Sequence, residues 1–213
     1  MTITEKIQLY LDEKISIVKS FPISEVVKVT HMLFDTYDKS GTVYVMANGG
    51  NAATMDHLYC DFKHHPFVTE DKTKQLPKGI KRLKIVNLCS SPAELTGLVN
   101  DLGIENMYSG ALSPFVTSDD LVMAYTGSGN SGNVIRAIEV AKEAGAKTFS
   151  MTKGDGGKCK KLSDVCLIVP GTSKFPGQTG KNDNNFHFED AVLYVNSILV
   201  GLLKERIETL MLK

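Results

Sequence analysis

Apolar positions in the first forty residues recur at helical spacing. Ile7, Leu11, Ile15 and Val18 stand three or four apart and form one stripe. Pro22 suits the first turn of a second helix, with Val26, Val29, Leu33 and Tyr37 as its apolar face. From Thr42 the period changes. Thr42–Ala47 (TVYVMA) is β-branched and apolar and reads as a strand, and residues 51–64 read as a helix. Residues 83–89 (LKIVNLC) predict a second strand. Ser91, Pro92 and Glu94 then supply a cap, a first-turn proline and an acid three residues after the cap, a helix start. Residues 120–125 (DLVMAY) give a third strand and 134–144 a helix stopped by Gly145. Residues 147–151 and Val165–Val169 give two more strands, and 186–211 a long closing helix.

Strands alternating with helices imply a parallel sheet covered on both faces. The expected fold is α/β: a three-layer α/β/α sandwich on a five-stranded, flavodoxin-like parallel sheet. Ligands of such folds bind at the carboxyl ends of the strands, near the topological switch point. The chain reads as one domain over 1–213, with helices in 1–40, an α/β core in 41–185 and a C-terminal helix in 186–213. The two leading helices need something to cover, either the domain itself or a partner subunit. Residues 171–185, rich in Gly, Asn, Lys and Pro, read as a mobile loop.

Composition narrows the function classes. The 213 residues are 42% hydrophobic and 23% charged, which excludes disorder as the main state. Twenty-four basic side chains balance twenty-four acidic ones, without the excess a nucleic-acid binder shows. No apolar run approaches the ~20 residues a membrane helix needs. The N-terminus carries acids and no apolar h-region, unlike a signal peptide. Cys60, Cys89, Cys159 and Cys166 form no C-x-x-C and no disulfide framework. A reducing cytoplasm is the expected setting.

Three sequence features carry chemistry. Thr126-Gly127-Ser128-Gly129-Asn130-Ser131 lies between a strand and a helix. Its hydroxyls, small residues and the helix start behind it suit a phosphate monoester. The run Gly127–Gly132 also matches G-x-G-x-x-G literally. Two strands precede it, however, and the next strand ends in Met151-Thr152-Lys153 with no acid for a ribose, so no nucleotide cofactor is expected. Asn48-Gly49-Gly50-Asn51 offers a second set of backbone donors and amides at the same sheet edge. On the following helix, His57 and Asp61 share one face and His64 extends it. This is either a solvated stripe or a carboxylate beside imidazoles, as proton transfer or a divalent metal needs. His187, Glu189 and Asp190 open the last helix, and Asn100-Asp101 adds another amide–carboxylate pair.

Together, NGGN-x5-H-x3-D, VND, TGSGNS and the long last helix resemble the sugar isomerase (SIS) domain, in particular its phosphoheptose isomerase branch, over nearly the whole chain. The resemblance implies a homotetramer that binds a phosphosugar and converts sedoheptulose 7-phosphate to a heptose 7-phosphate. By position, Thr126, Gly127, Ser128 and Ser131 would hold the phosphate, and Asn48, Gly49, Gly50, Asn51, Asp101 and Glu189 would line the sugar. Asp61 falls on the family base, with Glu189 and His64 as further acid–base candidates. His57 falls on a family histidine that can bind zinc, and a divalent metal is expected on His57, Asp61 and Glu189, or a nearby His64. Four positions depart from the pattern: Asn51 replaces a serine, Asp61 a glutamate, Glu189 a glutamine and Ser197 a histidine. Two functions stay open on this reading. One is a ketose–aldose isomerase acting through an enediol; the other is a non-catalytic SIS module that binds phosphosugars to regulate or bridge other proteins, which Ser197 favours.

Overall fold

A computed structural model describes residues 1–76 and 79–211. It begins with helices α1 (Ile3–Lys19) and α2 (Ile23–Lys39). Thr2 starts α1 with a reciprocal cap: its hydroxyl accepts from the Glu5 N–H, and the Glu5 carboxylate accepts from the Thr2 N–H. Val26, Val29, Leu33 and Tyr37 of α2 are buried as their spacing predicts. On α1 only Ile17 is buried, while Ile7, Leu11, Ile15 and Val18 remain exposed. Among the described residues nothing covers that stripe.

The core alternates β1 (Thr42–Ala47), α3 (Gly50–His64), β2 (Lys84–Asn87), α4 (Pro92–Leu102), α5 (Met107–Leu112), β3 (Leu121–Tyr125), α6 (Gly132–Glu143), β4 (Lys147–Lys153), α7 (Cys159–Leu162) and β5 (Val165–Val169). The helix α8 (Asn185–Met211) follows. Ser91 caps α4 as expected, accepting from the Glu94 N–H at 3.2 Å. All strand pairs are parallel, in the order β2-β1-β3-β4-β5. This is the flavodoxin-like order, and its switch point lies between β1 and β3.

Strand residues alternate between two cores. Val43, Val45, Ala47, Met123 and Tyr125 pack under α2, α3 and α8. Tyr44, Met46, Val122 and Ala124 pack against α5 and α6 on the other face. Continuous burial of β3 fits a central strand covered on both sides. By length and composition α8 is apolar enough to cross a membrane, though its sequence is interrupted by polar residues. Half of that stretch is buried in the fold, as in a core helix.

The segment 171–185 is tied at several points rather than left loose. It contains a 3-10 turn at Gly180–Asn182. The Asn184 amide donates to the Pro170 carbonyl at 2.9 Å, and Asp183 accepts from the Ser173 N–H at 2.7 Å. The Gln178 side chain accepts from the Phe186 N–H, fixing the entry to α8.

Candidate active site

Both glycine-containing loops stand at the switch point, one leaving β1 and one leaving β3. Gly49 precedes α3 at φ 62° and ψ −136°, a conformation open to glycine alone at little cost. Gly129 sits at φ +63°, and a Cβ there would lie 2.1 Å from the Gly156 carbonyl oxygen. That close approach lets the loop after β4 brace the loop after β3. The Cys159 N–H donates to the Gly129 carbonyl, and the Lys158 N–H to Asn130 Oδ1, each at 3.1 Å. These contacts tie the hydroxyl loop to the loop after β4.

The hydroxyls are placed to receive an anion. Thr126 Oγ1 and Ser131 Oγ lie 3.3 Å apart. Ser131 occupies the cap position of α6, yet its hydroxyl makes no capping hydrogen bond to the helix. The positive end of α6 thus opens beside two neighbouring hydroxyls. The Asn48 amide is held by a reciprocal pair of hydrogen bonds with Asn133, at 3.0 and 2.9 Å. Tyr108 donates to the Ala47 carbonyl at 2.6 Å and to Asn48 Oδ1 at 3.2 Å. Burial, with Cys89 beside it, pushes the Tyr108 phenol well above its ordinary range and keeps it a donor. Asn51 Oδ1 is buried without a protein partner among the described residues. An unsatisfied buried acceptor costs about 1–3 kcal/mol, which a donating ligand hydroxyl would relieve.

These groups line one cleft of about 290 Å³, built from Asn48, Gly49, Gly50, Asn51, Tyr125, Thr126, Gly127, Ser128, Ser131, Lys153, Lys181, Asn185 and Glu189. The far wall is the start of α8. There Asn185 donates to Glu189 Oε1 at 2.8 Å, orienting the carboxylate. Lys153, at the end of β4, reaches the Lys181 carbonyl at 3.3 Å. Two ammonium groups against one carboxylate leave the cleft net positive, suited to a phosphate dianion. Tyr125 donates to Asn196 at 2.7 Å, linking the end of β3 to α8.

The cleft gathers most of the residues singled out in the sequence: Asn48, Gly49, Gly50, Asn51, Thr126, Gly127, Ser128, Ser131 and Glu189. It does not gather Asp101, His57, Asp61 or His64. Asp101 is exposed on α4 and accepts from Asn100 at 2.9 Å. Asp61 lies ten residues beyond Asn51, about 15 Å along the α3 axis at helical rise. Its carboxylate meets His57 Nε2 at 3.1 Å, and the His57 side chain is 62% exposed. His64 lines a separate groove with Phe67, Gln75 and Arg82. Ser197 is exposed and donates to the Leu193 carbonyl at 3.0 Å.

A metal on His57, Asp61 and Glu189 finds no converging donor set within one chain. Among the described residues no three His, Cys, Asp or Glu side chains cluster as a metal site. Sequence reasoning missed Tyr125, Lys153, Lys181 and Asn185 as members of the cleft. Lys153 carried a signal, a cation at the carboxyl end of a central strand. Lys181 and Asn185 carried none, because only the return of 171–185 to the sheet edge brings them there.

No family model matches the chain. Among curated proteins, it is 33% identical over 140 residues to a phosphoheptose isomerase from Helicobacter pylori (strain P12), covering 66% of this chain and 68% of that protein. Among solved structures, a phosphoheptose isomerase from Francisella tularensis superposes with a TM-score of 0.78 at 20% identity, covering 96% of this chain and 100% of the other. One from Neisseria gonorrhoeae gives 0.76 at 20% identity, covering 95% and 99%. These superpositions support the SIS α/β fold.

Proposed function

The chain belongs to the phosphoheptose isomerase family, and from that premise we propose that it interconverts the ketose and aldose forms of a sugar phosphate such as sedoheptulose 7-phosphate. It is a phosphosugar isomerase, and the family implies no nucleotide cofactor. What supports this substrate class most is the single cleft that joins the hydroxyl loop, two ammonium groups and one oriented carboxylate.

In this reading Thr126, Ser128, Ser131 and the N-terminal end of α6 hold the phosphate, with Lys153 and Lys181 balancing its charge. Asn48 and Asn51 face the sugar hydroxyls. The Glu189 carboxylate takes the proton from C1 of the ketose as the C2 carbonyl oxygen gains one, giving an enediol. Protonation at C2 and loss of the O1 proton then yield the aldose. No step here runs through a metal.

Asp61, His57 and Asp101 stand outside the cleft of their own chain and would reach a cleft only from a second copy. The uncovered stripe of α1 supports such a homo-oligomer, and we read it as a tetramer with sites near subunit boundaries. One SIS domain over 1–213 and a cytoplasmic setting complete the proposal; the four cysteines are free thiols. The test is incubation with sedoheptulose 7-phosphate and product analysis, comparing wild type, Glu189→Gln and Asp61→Asn. Loss of turnover in Glu189→Gln with retained binding supports the in-chain base. Loss confined to Asp61→Asn moves the base to a neighbouring copy.

The exposed Ser197, where the family pattern has a histidine, favours a second reading: a phosphosugar-binding module. Tight binding of the sugar phosphate by a wild-type protein that never turns it over would select that reading.

A further inference from the structure

The far wall of the cleft is anchored from outside it by one carboxylate of α1. Glu13 accepts with both oxygens. Oε1 takes the Lys174 N–H at 2.7 Å; Oε2 takes the Ser173 hydroxyl at 2.7 Å and lies 3.1 Å from His187 Nε2. The His187 side chain is 1% exposed and that of Glu13 13%, so the contact is shielded from water. Ser173 carries the tie onward: its N–H donates to Asp183 at 2.7 Å, and its hydroxyl accepts from the Phe175 N–H at 3.1 Å. Tyr10 reinforces the attachment one turn earlier on α1. Its ring stacks on His187 at 4.2 Å, and its hydroxyl donates to Asp190 at 2.6 Å beside Lys14 at 2.9 Å.

On α8, the points that α1 grips flank residues of the cleft, and through Ser173 its hold extends to Asp183. Asp183 lies between Lys181 and Asn185, and His187 lies between Asn185 and Glu189. Asp190 adjoins Glu189. Glu13 itself is not among the residues that line the cleft.

We propose that Glu13 is a positioning residue for the active site: through Ser173, Lys174 and His187, α1 acts as a buttress that sets where Lys181, Asn185 and Glu189 stand. The inference rests on the reading of the cleft as a sugar-phosphate site. It adds a role for the N-terminal helix within its own chain. Burial opposes ionisation of Glu13, but the hydrogen bonds from Lys174, Ser173 and His187 outweigh it and hold the carboxyl below the usual glutamate range. The carboxylate that makes these contacts is thus the form present at neutral pH.

The experiment compares wild type with Glu13→Ala, Glu13→Gln and Ser173→Ala, all as the full chain. Amide hydrogen exchange reads the position of the wall without a ligand. Sedoheptulose 7-phosphate turnover and inorganic phosphate binding read its consequence. Glu13→Ala should speed exchange at 173–190 while leaving the loop after β3 protected. It should lower kcat at least about tenfold, as loss of hydrogen bonds to a charged group allows. Phosphate affinity should fall by less than kcat does, since the hydroxyl loop that grips the phosphate lies on the opposite wall and of the phosphate's partners only Lys181 stands on the wall that α1 holds. Ser173→Ala, which keeps the carboxylate, should show the same pattern weakened, and Glu13→Gln should fall between. Unchanged exchange at 173–190 in Glu13→Ala overturns the buttress. So does faster exchange with unchanged kcat, or a uniform rise in exchange with equal loss of phosphate binding, the mark of a general stability effect. A wild type that turns over no sugar phosphate defeats the reading of the cleft instead, and exchange still decides whether α1 holds the wall.

Discussion

Ser128 and Ser131 differ from ordinary turn serines in what their surroundings leave undone. The Ser131 hydroxyl stands at a helix start without capping it, and among the described residues the Ser128 hydroxyl accepts from the Asn130 N–H alone, at 3.2 Å. Replacing either by alanine should weaken sugar-phosphate binding by about 1–3 kcal/mol, the range for hydrogen bonds to a charged group. Calorimetry checks this, and unchanged affinity in both variants removes the loop from the site. Glu189→Gln should lower kcat by more than about 10²-fold, the lower end for a general base, with binding kept within about tenfold. Single-turnover kinetics beside calorimetry separate the two effects. At this scale the sequence disclosed what was local. NGGN and TGSGNS are contiguous, and each follows its own strand directly, so their meeting at the switch point could be read from pattern. His57, Asp61 and His64 share a helix face, but the sequence could not say that this face runs away from the cleft. Lys181 and Asn185 depend on a loop returning to the sheet from more than thirty residues beyond β3, which no local pattern encodes.

Among the elements, α1 and α2 had similar apolar periodicity and met different fates. The α2 face is buried in the core, whereas Ile7, Leu11 and Ile15 of α1 are each about half exposed. Periodicity reports that a face wants cover, and not whether the same chain supplies it. Exposed apolar side chains on α8, among them Leu193 and Ile198, make the same demand. If the proposed homo-oligomer is closed by this face, Ile7→Glu with Leu11→Glu should shift it to smaller species while each chain keeps its fold. Light scattering with circular dichroism tests this; a wild type that is monomeric at micromolar concentration defeats it. β1, β3 and β5 were the most legible elements, because each combines an apolar run with turn signals at its ends. The short helix α5 gave too little period to be recognised, yet its Tyr108 joins Asn133 in holding Asn48.

For the molecule as a whole, acid should act through depressed carboxylates that tie distant elements together. Glu13 joins α1 to the wall of the cleft. Asp164 joins the end of α7 to β4, accepting from the Thr148 N–H at 2.8 Å and from its hydroxyl at 2.9 Å, with Lys142 at 3.1 Å. Burial opposes Asp164 ionisation too, but the hydrogen bonds from Thr148 and Lys142 hold it below the usual aspartate range. A folded pKa below the unfolded one gives stability that is complete above the unfolded value, about 4 for these carboxylates, and is lost as pH falls through the folded value. Urea midpoints should thus be flat near neutrality and decline below about pH 4. Asp164→Asn should flatten that decline; a variant that keeps the full wild-type slope excludes Asp164 as a contributor.

The proposed function puts isomerisation of a sugar phosphate in the cleft between β1, β3 and α8. The most direct measurement is nuclear magnetic resonance of sedoheptulose 7-phosphate incubated with the protein in deuterated water. The account predicts conversion to a heptose 7-phosphate with deuterium incorporated at C2, because the enediol exchanges its proton through Glu189. Both conversion and incorporation should disappear in Glu189→Gln. Tight binding of the sugar phosphate to the wild type with neither conversion nor exchange would contradict the account.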